Sequence, residues 1–427
     1  MTSLTPARRL GMCLVSAGLA LLTACGGGTS ASQRQSIVNN CSIKLEALRP
    51  PCPPGVNCTT ASCNPGSSPN GEACSTMSQP NWNQFQSIAG NSVIAGVNLA
   101  VPWSSVETSQ GVYDFSALDS QIAFYTTNYP GVKVNLMLIP ISYSSNGNNP
   151  TGGVNYFTPQ YVFSGTWASN GQVIAANGGA VPSPLDVVSC ASSGYAGSGS
   201  VPNSGYPVVY EAPFYVAYEN FIAAVIQHYN SNSTIGYARF GLSVGDETDA
   251  YCTAEMQALP APNTFAGAST WEQYIGTMVS FEKSQNPKFQ IMTSLNSLDT
   301  NPGPTLPEFE ANLAVSNGFG FGSNGWRASD VQASQTNGNC TSDWCALFDQ
   351  YAGQVPLELQ TATPSDPTNS DPNNPTGSLV NLIPTAVQNH ATILEIALPD
   401  LYTAFDPGYN PGFYSAYNTS LGNACAQ

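Results

Sequence analysis

Short apolar runs alternate with amphipathic stretches from about residue 81 to the end of the chain, and no other feature restricts its fold as strongly. The runs are "VIAGVNLAV" (93–101), "VKVNLMLIP" (132–140), "LDVVSC" (185–190), "YARFGLSVG" (237–245), "FQIMTSLN" (289–296), "GFGFG" (318–322), "VPLELQT" (355–361) and "TILEIAL" (392–398). Between them the spacing predicts helices over 115–127, 213–229, 270–284, 306–316, 342–352 and 378–390, with stripes such as Phe115, Leu118, Ile122 and Tyr125. Strands and helices in turn call for a parallel sheet with crossover connections. Eight units fit an α/β fold of the (β/α)8 TIM-barrel type with loop insertions, the usual length being about 250 residues. The largest insertion covers 141–212. An open Rossmann sheet is the alternative, but no dinucleotide fingerprint or phosphate loop follows the first run.

The first 24 residues predict export. Arg8 and Arg9 precede "LGMCLVSAGLALL", which is too short to span a bilayer. The stretch ends in Leu22-Thr23-Ala24-Cys25, which resembles the lipobox of bacterial lipoproteins. That resemblance implies a lipid on Cys25 and a place in the cell envelope, on the outer membrane, facing the periplasm or the exterior. An ordinary export signal is the alternative, and both readings make the protein an exported one.

Residues 25–80 read as a lipidated tether, "GGGTSASQRQS", followed by a disulfide-rich coil, and the catalytic barrel is expected over 81–427. Beyond Cys13 and Cys25 ten cysteines remain, an even number that favours disulfides in an exported chain. Cys340 with Cys345, and Cys190 with Cys252, are the pairs that position suggests. Zinc is the competing reading for Cys52, Cys58 and Cys63, but no histidine lies near them, so no metal is expected.

Ten Lys and Arg against 26 Asp and Glu give a formal charge of −16, which makes nucleic acid and anionic membrane surfaces poor partners for such a chain. With only 8% charged residues, the surface is largely neutral and hydrogen-bonding, which suits a neutral polar ligand. A monomer is expected, with membrane contact through the lipid anchor only.

"RFGLSVGDETDAYC" (239–252) places three carboxylates where the fourth run ends. Alternate side chains of a strand share a face, so Phe240, Leu242 and Val244 form an outward row. Arg239, Gly241, Ser243, Gly245 and Glu247 then face the barrel axis, and Asp246 points away. By the same rule Glu358 and Gln360 face inward from the seventh run and Glu395 from the eighth. A glutamate between leucines needs a reason to be buried. Glu247 thus lies at the carboxyl end of the fourth strand, the end where barrel enzymes do their chemistry, and three glutamates converge on one cavity from strands four, seven and eight. Two facing carboxyl groups serve glycoside hydrolysis: one protonates the leaving oxygen, the other attacks the anomeric carbon or activates water.

The segment "GVNLAVPWSSVETSQGVYDFSALDSQIAFY" (96–125) resembles the first strand and helix of the clan A barrel glycoside hydrolases, through Trp103, Glu107, Gly111, Tyr113-Asp114-Phe115 and Leu118-Asp119. The resemblance continues more loosely to about residue 425. It implies Glu247 as acid/base and Glu358 as nucleophile of a retaining glycoside hydrolase that acts on a poly- or oligosaccharide without a cofactor. Asp246 stands where that clan usually carries Asn, and "GDET" is similar to amylase-like barrels, so inversion stays open. Glu395 is a substrate contact or a substitute nucleophile.

Trp103, Trp326 and Tyr143 follow strand ends and are candidates for stacking on sugar rings, packing being the commoner fate of a tryptophan. Asn135, Asn296 and Gln360 are candidate donors to sugar hydroxyls. Capping accounts for Glu247 in the other reading, and an ion pair with Arg239 or Arg327 for Glu358. A catalytically silent barrel that binds surface glycan, and a lyase or transglycosylase using the same carboxylates, are the rival functions.

Overall fold

The computed structural model describes residues 43–48, 94–141, most of 206–259, 265–295, 305–326, 343–361 and 379–397, with short pieces near 50–57, 85–86, 157–162 and 172–188 and at 401. Eight parallel strands close a barrel: β1 (Lys44–Leu48), β2 (Gly96–Pro102), β3 (Lys133–Ile139), β4 (Ile235–Phe240), β5 (Gln290–Ser294), β6 (Gly320–Trp326), β7 (Leu357–Thr361) and β8 (Ile393–Ala397). Each strand pairs with the next, and β1 pairs with both β8 and β2. Their apolar character follows, because a closed parallel sheet wrapped in helices is buried on both faces. All seven residues of β2 are buried.

The longer helices are α1 (Ser116–Asn128), α2 (Ala212–Tyr229), α3 (Ala268–Ser284), α4 (Thr305–Asn317), α5 (Asp343–Tyr351) and α6 (Leu379–Gln388), with single turns at Trp103–Val106 and Thr253–Gln257. The longer ones begin and end within about two residues of the spans their periodicity predicts. Among the described residues no helix is long and apolar enough to cross a membrane.

Two strand expectations need correction, and the two errors offset each other. The barrel begins at Lys44, inside the segment expected to be coil, so the boundary at 80 does not hold. The run at 185–190 supplies no barrel strand. Val187–Val188 instead pairs antiparallel with Tyr206–Pro207 in a separate two-stranded ribbon. One strand is lost and one gained, so β4 to β8 keep the positions expected of them.

The physical reason for missing β1 is its composition. "KLEAL" is short and half polar, and its interior residue is a glutamate. The same Leu-Glu-apolar pattern recurs in β7 ("LELQT") and β8 ("ILEIA"), and this shared signal marks β1 as a barrel strand. Leu45 and Ala47 pack outward into the main core, while Glu46 lies on the register line of Glu395.

β4 is shorter than its run. It stops at Phe240, and the Leu242 and Ser243 amides both donate to the Glu247 carbonyl, folding Gly241–Glu247 into a tight loop. Gly241 makes this fold possible: a Cβ there would overlap the Gly245 carbonyl oxygen and come within 2.8 Å of Asp246 Cα and 3.0 Å of the Leu138 carbonyl. All three are backbone atoms and cannot step aside cheaply. Gly241→Ala is therefore expected to destabilise the protein by about 1–3 kcal/mol in urea unfolding, the usual range for overpacking.

Candidate active site

The barrel axis is occupied by one cation and its carboxylates. Arg239, fully buried near the end of β4, donates Nη1 to Glu358 Oε2 at 2.9 Å and Nη2 to both oxygens of Glu395 at 2.8 and 2.9 Å. Its Nε lies 3.0 Å from Asp246 Oδ2. All four side chains are 3% exposed or less. Gln360 Nε2 donates to Glu395 Oε2 at 2.7 Å, and Arg239 Nη1 also donates to Asn324 Oδ1 of β6 at 3.1 Å. The planar guanidinium suits this role, since it presents five donors in a fixed fork.

A second polar layer lies toward β1. The Tyr237 hydroxyl lies between Glu46 Oε2, at 2.9 Å, and Glu395 Oε1, in a short contact, and shares its one proton between them. Asn135 Nδ2 donates to Glu46 Oε2 at 2.9 Å and to Asn98 Oδ1 at 2.7 Å, while its Oδ1 accepts the Tyr237 amide at 3.1 Å. Tyr237, Met292 and Ile393 form a small separate apolar cluster.

Burial governs the titration of this interior. It pushes Glu46 up to about 8, with the neighbouring Glu395 charge adding to the effect and the Tyr237 and Asn135 hydrogen bonds opposing it. Burial also raises Glu358 well above the carboxylate range; Arg239 pulls it down, and Glu395, Asp246 and Glu46 push it up. Glu46 titrates near 4.5 when unfolded and near 8 in the fold. Between those values the folded state holds a proton that the unfolded chain releases. The associated stability is thus complete below about pH 4.5 and is lost as pH rises through about 8. Glu46→Gln is expected to flatten the fall in melting temperature between pH 5 and pH 9, recovering a few kcal/mol at the alkaline end. An unchanged slope would rule this out.

The expected site residues divide sharply. Glu358 and Glu395 face the interior, as the alternation in β7 and β8 requires, and both meet Arg239. Asp246, expected to point away, is the third carboxylate on Arg239. The alternation fails there because the strand ends at Phe240 and the loop turns Asp246 back over the axis. Glu247 is half-buried beside it, its Oε1 3.5 Å from Asn324 Nδ2. Asn324 therefore stands between Glu247 and Arg239, a position that the sequence did not reveal.

Trp103 needs correction as a sugar platform. It is fully buried, its indole packed at 5.7, 5.1 and 5.9 Å from the rings of Phe214, Tyr218 and Phe221, and its Nε1 donates to Glu107 Oε2 at 2.6 Å. Glu107 also accepts the Gly111 amide at 2.7 Å, so this pair fastens the loop after β2. Asn135 is likewise fully enclosed and spends its amide on Glu46, Asn98 and Tyr237, too deep for sugar hydroxyls. Gln360 is 8% exposed and engaged with Glu395. Trp326 is the last residue of β6. Tyr143, Asn296 and Cys25 lie outside the described residues, as do all cysteines except Cys52, Cys252 and the backbone of Cys345. Among the described residues no group of three His, Cys, Asp or Glu side chains is arranged to hold a metal ion.

No protein-family model matches the sequence, and no curated protein matches it. Similar solved structures include the catalytic domain of a beta-amylase from Paenibacillus polymyxa, at 10% identity and a TM-score of 0.46, covering 90% of this chain and 99% of that one. Xylanase 10B from Thermotoga petrophila, in complex with xylobiose, is similar at 10% identity and 0.44, covering 93% and 99%. An endo-beta-1,4-xylanase of glycoside hydrolase family 10 from Gloeophyllum trabeum is similar at 12% identity and 0.42, covering 80% and 92%.

Proposed function

We propose that this chain is an exported, lipid-anchored glycoside hydrolase that works at the carboxyl end of its barrel, with Glu247 as acid/base and Glu358 as nucleophile. One observation carries the reading: the Asn324–Arg239 pair links Glu247, half-buried after β4, to Glu358 of β7. Only Oε2 of Glu358 is held by Arg239, and Oε1 has no hydrogen-bond partner among the described residues. Oε1 is then the oxygen that would attack an anomeric carbon once substrate reaches it, and Arg239 opposes, without cancelling, the burial that favours the protonated form. Glu395 is held in both oxygens and serves as a supporting carboxylate.

A second reading, a barrel that binds glycan without cleaving it, draws on the complete enclosure of Glu358. The two separate by assay of the full chain on neutral polysaccharides and aryl glycosides. Cleavage abolished by Glu247→Gln supports the hydrolase. Glycan binding without cleavage by the wild type supports the silent barrel.

A further inference from the structure

We propose that the amino-terminal face of the barrel docks on an anionic phospholipid surface, so that the protein stands on its membrane with the carboxylate-lined mouth turned outward. The inference concerns a face that the proposed chemistry does not use, and it builds on the lipid-anchored reading.

The strands are parallel, so their first residues all lie at one end of the barrel. Lys44 opens β1, Lys133 opens β3, and Lys288 precedes β5 by two residues. Lys283 is the penultimate residue of α3 and donates to the Asn317 carbonyl at the end of α4. All four lysines are exposed, and none makes an ion pair among the described residues. The remaining described Lys or Arg is Arg239, inside the barrel. Every exposed lysine or arginine among the described residues is therefore at this end.

The distribution of acids runs the other way. The segments that lead from helices into β3 to β8, namely 129–132, 230–234, 285–289, 318–319, 352–356 and 389–392, contain no Asp or Glu. Among the described residues, Asp246 and Glu247 follow β4, at the other end of the barrel. Asp349, near the end of α5, is an exposed acid toward the lysine end, and it is paired with His390 at 3.3 Å. Among the described residues the exposed lysines thus share one end of the barrel and Asp246 and Glu247 the other, while in the sequence Arg49 and Arg327 follow β1 and β6.

Two further observations indicate what covers that face. Between Lys283 and Lys288 lies a recess of about 260 Å³ whose polar lining, Asn286, Gln290 and Asn317, suits a phosphate-bearing headgroup, with Phe289 and Ile291 among its apolar walls. In addition, residues 26–43 join Cys25 to β1, which enters the barrel at this same end, and full extension gives them a reach of no more than about 60 Å. A lipid on Cys25 would hold the lysine face near the bilayer, where each lysine is drawn to anionic lipid within about a Debye length. The anchor supplies proximity, and the lysines select orientation.

The test places the full chain on vesicles of phosphatidylglycerol with phosphatidylethanolamine, or of phosphatidylcholine alone, and follows amide hydrogen exchange. Slowing of about tenfold is expected over 129–134 and 285–290 on the anionic vesicles alone, with 241–247 unchanged. High salt, or Lys44→Gln, Lys133→Gln, Lys283→Gln and Lys288→Gln combined, should remove it. Equal slowing on phosphatidylcholine, slowing at the mouth instead, or indifference to the four substitutions would overturn the proposal. The anchor is read separately, by partition of wild type and Cys25→Ser into a detergent phase. If wild type stays in the aqueous phase the anchor fails, and slowing on added anionic vesicles still decides the face.

Discussion

Replacing Arg239 by methionine is expected to destabilise the protein by about 3–5 kcal/mol, the range for leaving a buried charge without its partner. Glu358, Glu395 and Asp246 all lean on this guanidinium, and each is 3% exposed or less. Methionine fills much of the arginine's volume, so the loss reports charge and hydrogen bonding more than a cavity. The stranded carboxyl groups can escape only by taking up protons, so the deficit should be larger at pH 8 than at pH 5. Arg239→Lys keeps the charge but cannot engage three carboxylates with a planar fork, and should fall between the two. Urea unfolding of the three proteins at both pH values measures the effect. A loss below about 1 kcal/mol, or one independent of pH, would show that the interior is held by its apolar shell instead.

The second large effect separates the two glutamates of the proposed reaction. Glu247→Gln should lower kcat/KM by about two to four orders of magnitude on any cleaved glycoside, the span expected for loss of a general acid/base. It should leave the melting temperature nearly unchanged, because Glu247 is half-buried and stands outside the Arg239 ion pairs. Glu358→Gln should abolish turnover and also lower stability, since it withdraws a carboxylate that faces Arg239 at 2.9 Å. The two variants together discriminate: a stability loss at Glu358 with activity retained would make it a purely structural carboxylate. Should Glu395→Gln alone remove activity, the nucleophile would lie on β8.

The barrel interior explains why polar residues sit where a core is expected. The interior rows of β1, β4, β7 and β8 bring Glu46, Tyr237, Arg239, Glu358, Gln360 and Glu395 into one connected network. Such a cluster is stable only when nearly every group is satisfied, and it fixes the register of its strands more tightly than interchangeable aliphatic layers would. Glycines leave it room: a Cβ at Gly96 would lie 2.9 Å from Asn135 Nδ2, and one at Gly322 would lie 2.9 Å from the Glu358 carbonyl and 3.0 Å from its Cδ.

The amino-acid sequence by itself determined the alternation of strands and helices, the six helix spans and seven of the eight barrel strands. It also determined the inward direction of Glu358, Gln360 and Glu395, because a regular strand turns alternate side chains to opposite faces whatever surrounds it. Only the tertiary structure decided that Lys44–Leu48 closes the barrel, since a short strand with a buried glutamate shows its worth only beside β8 and β2. Only the tertiary structure turned Asp246 onto Arg239, because the loop after Phe240 answers to a backbone approach at Gly241 that no period describes. The fate of Trp103 was settled in the same way, by three aromatic rings of a helix more than a hundred residues away. The lysines, scattered along the chain, share a face because every parallel strand begins at the same end.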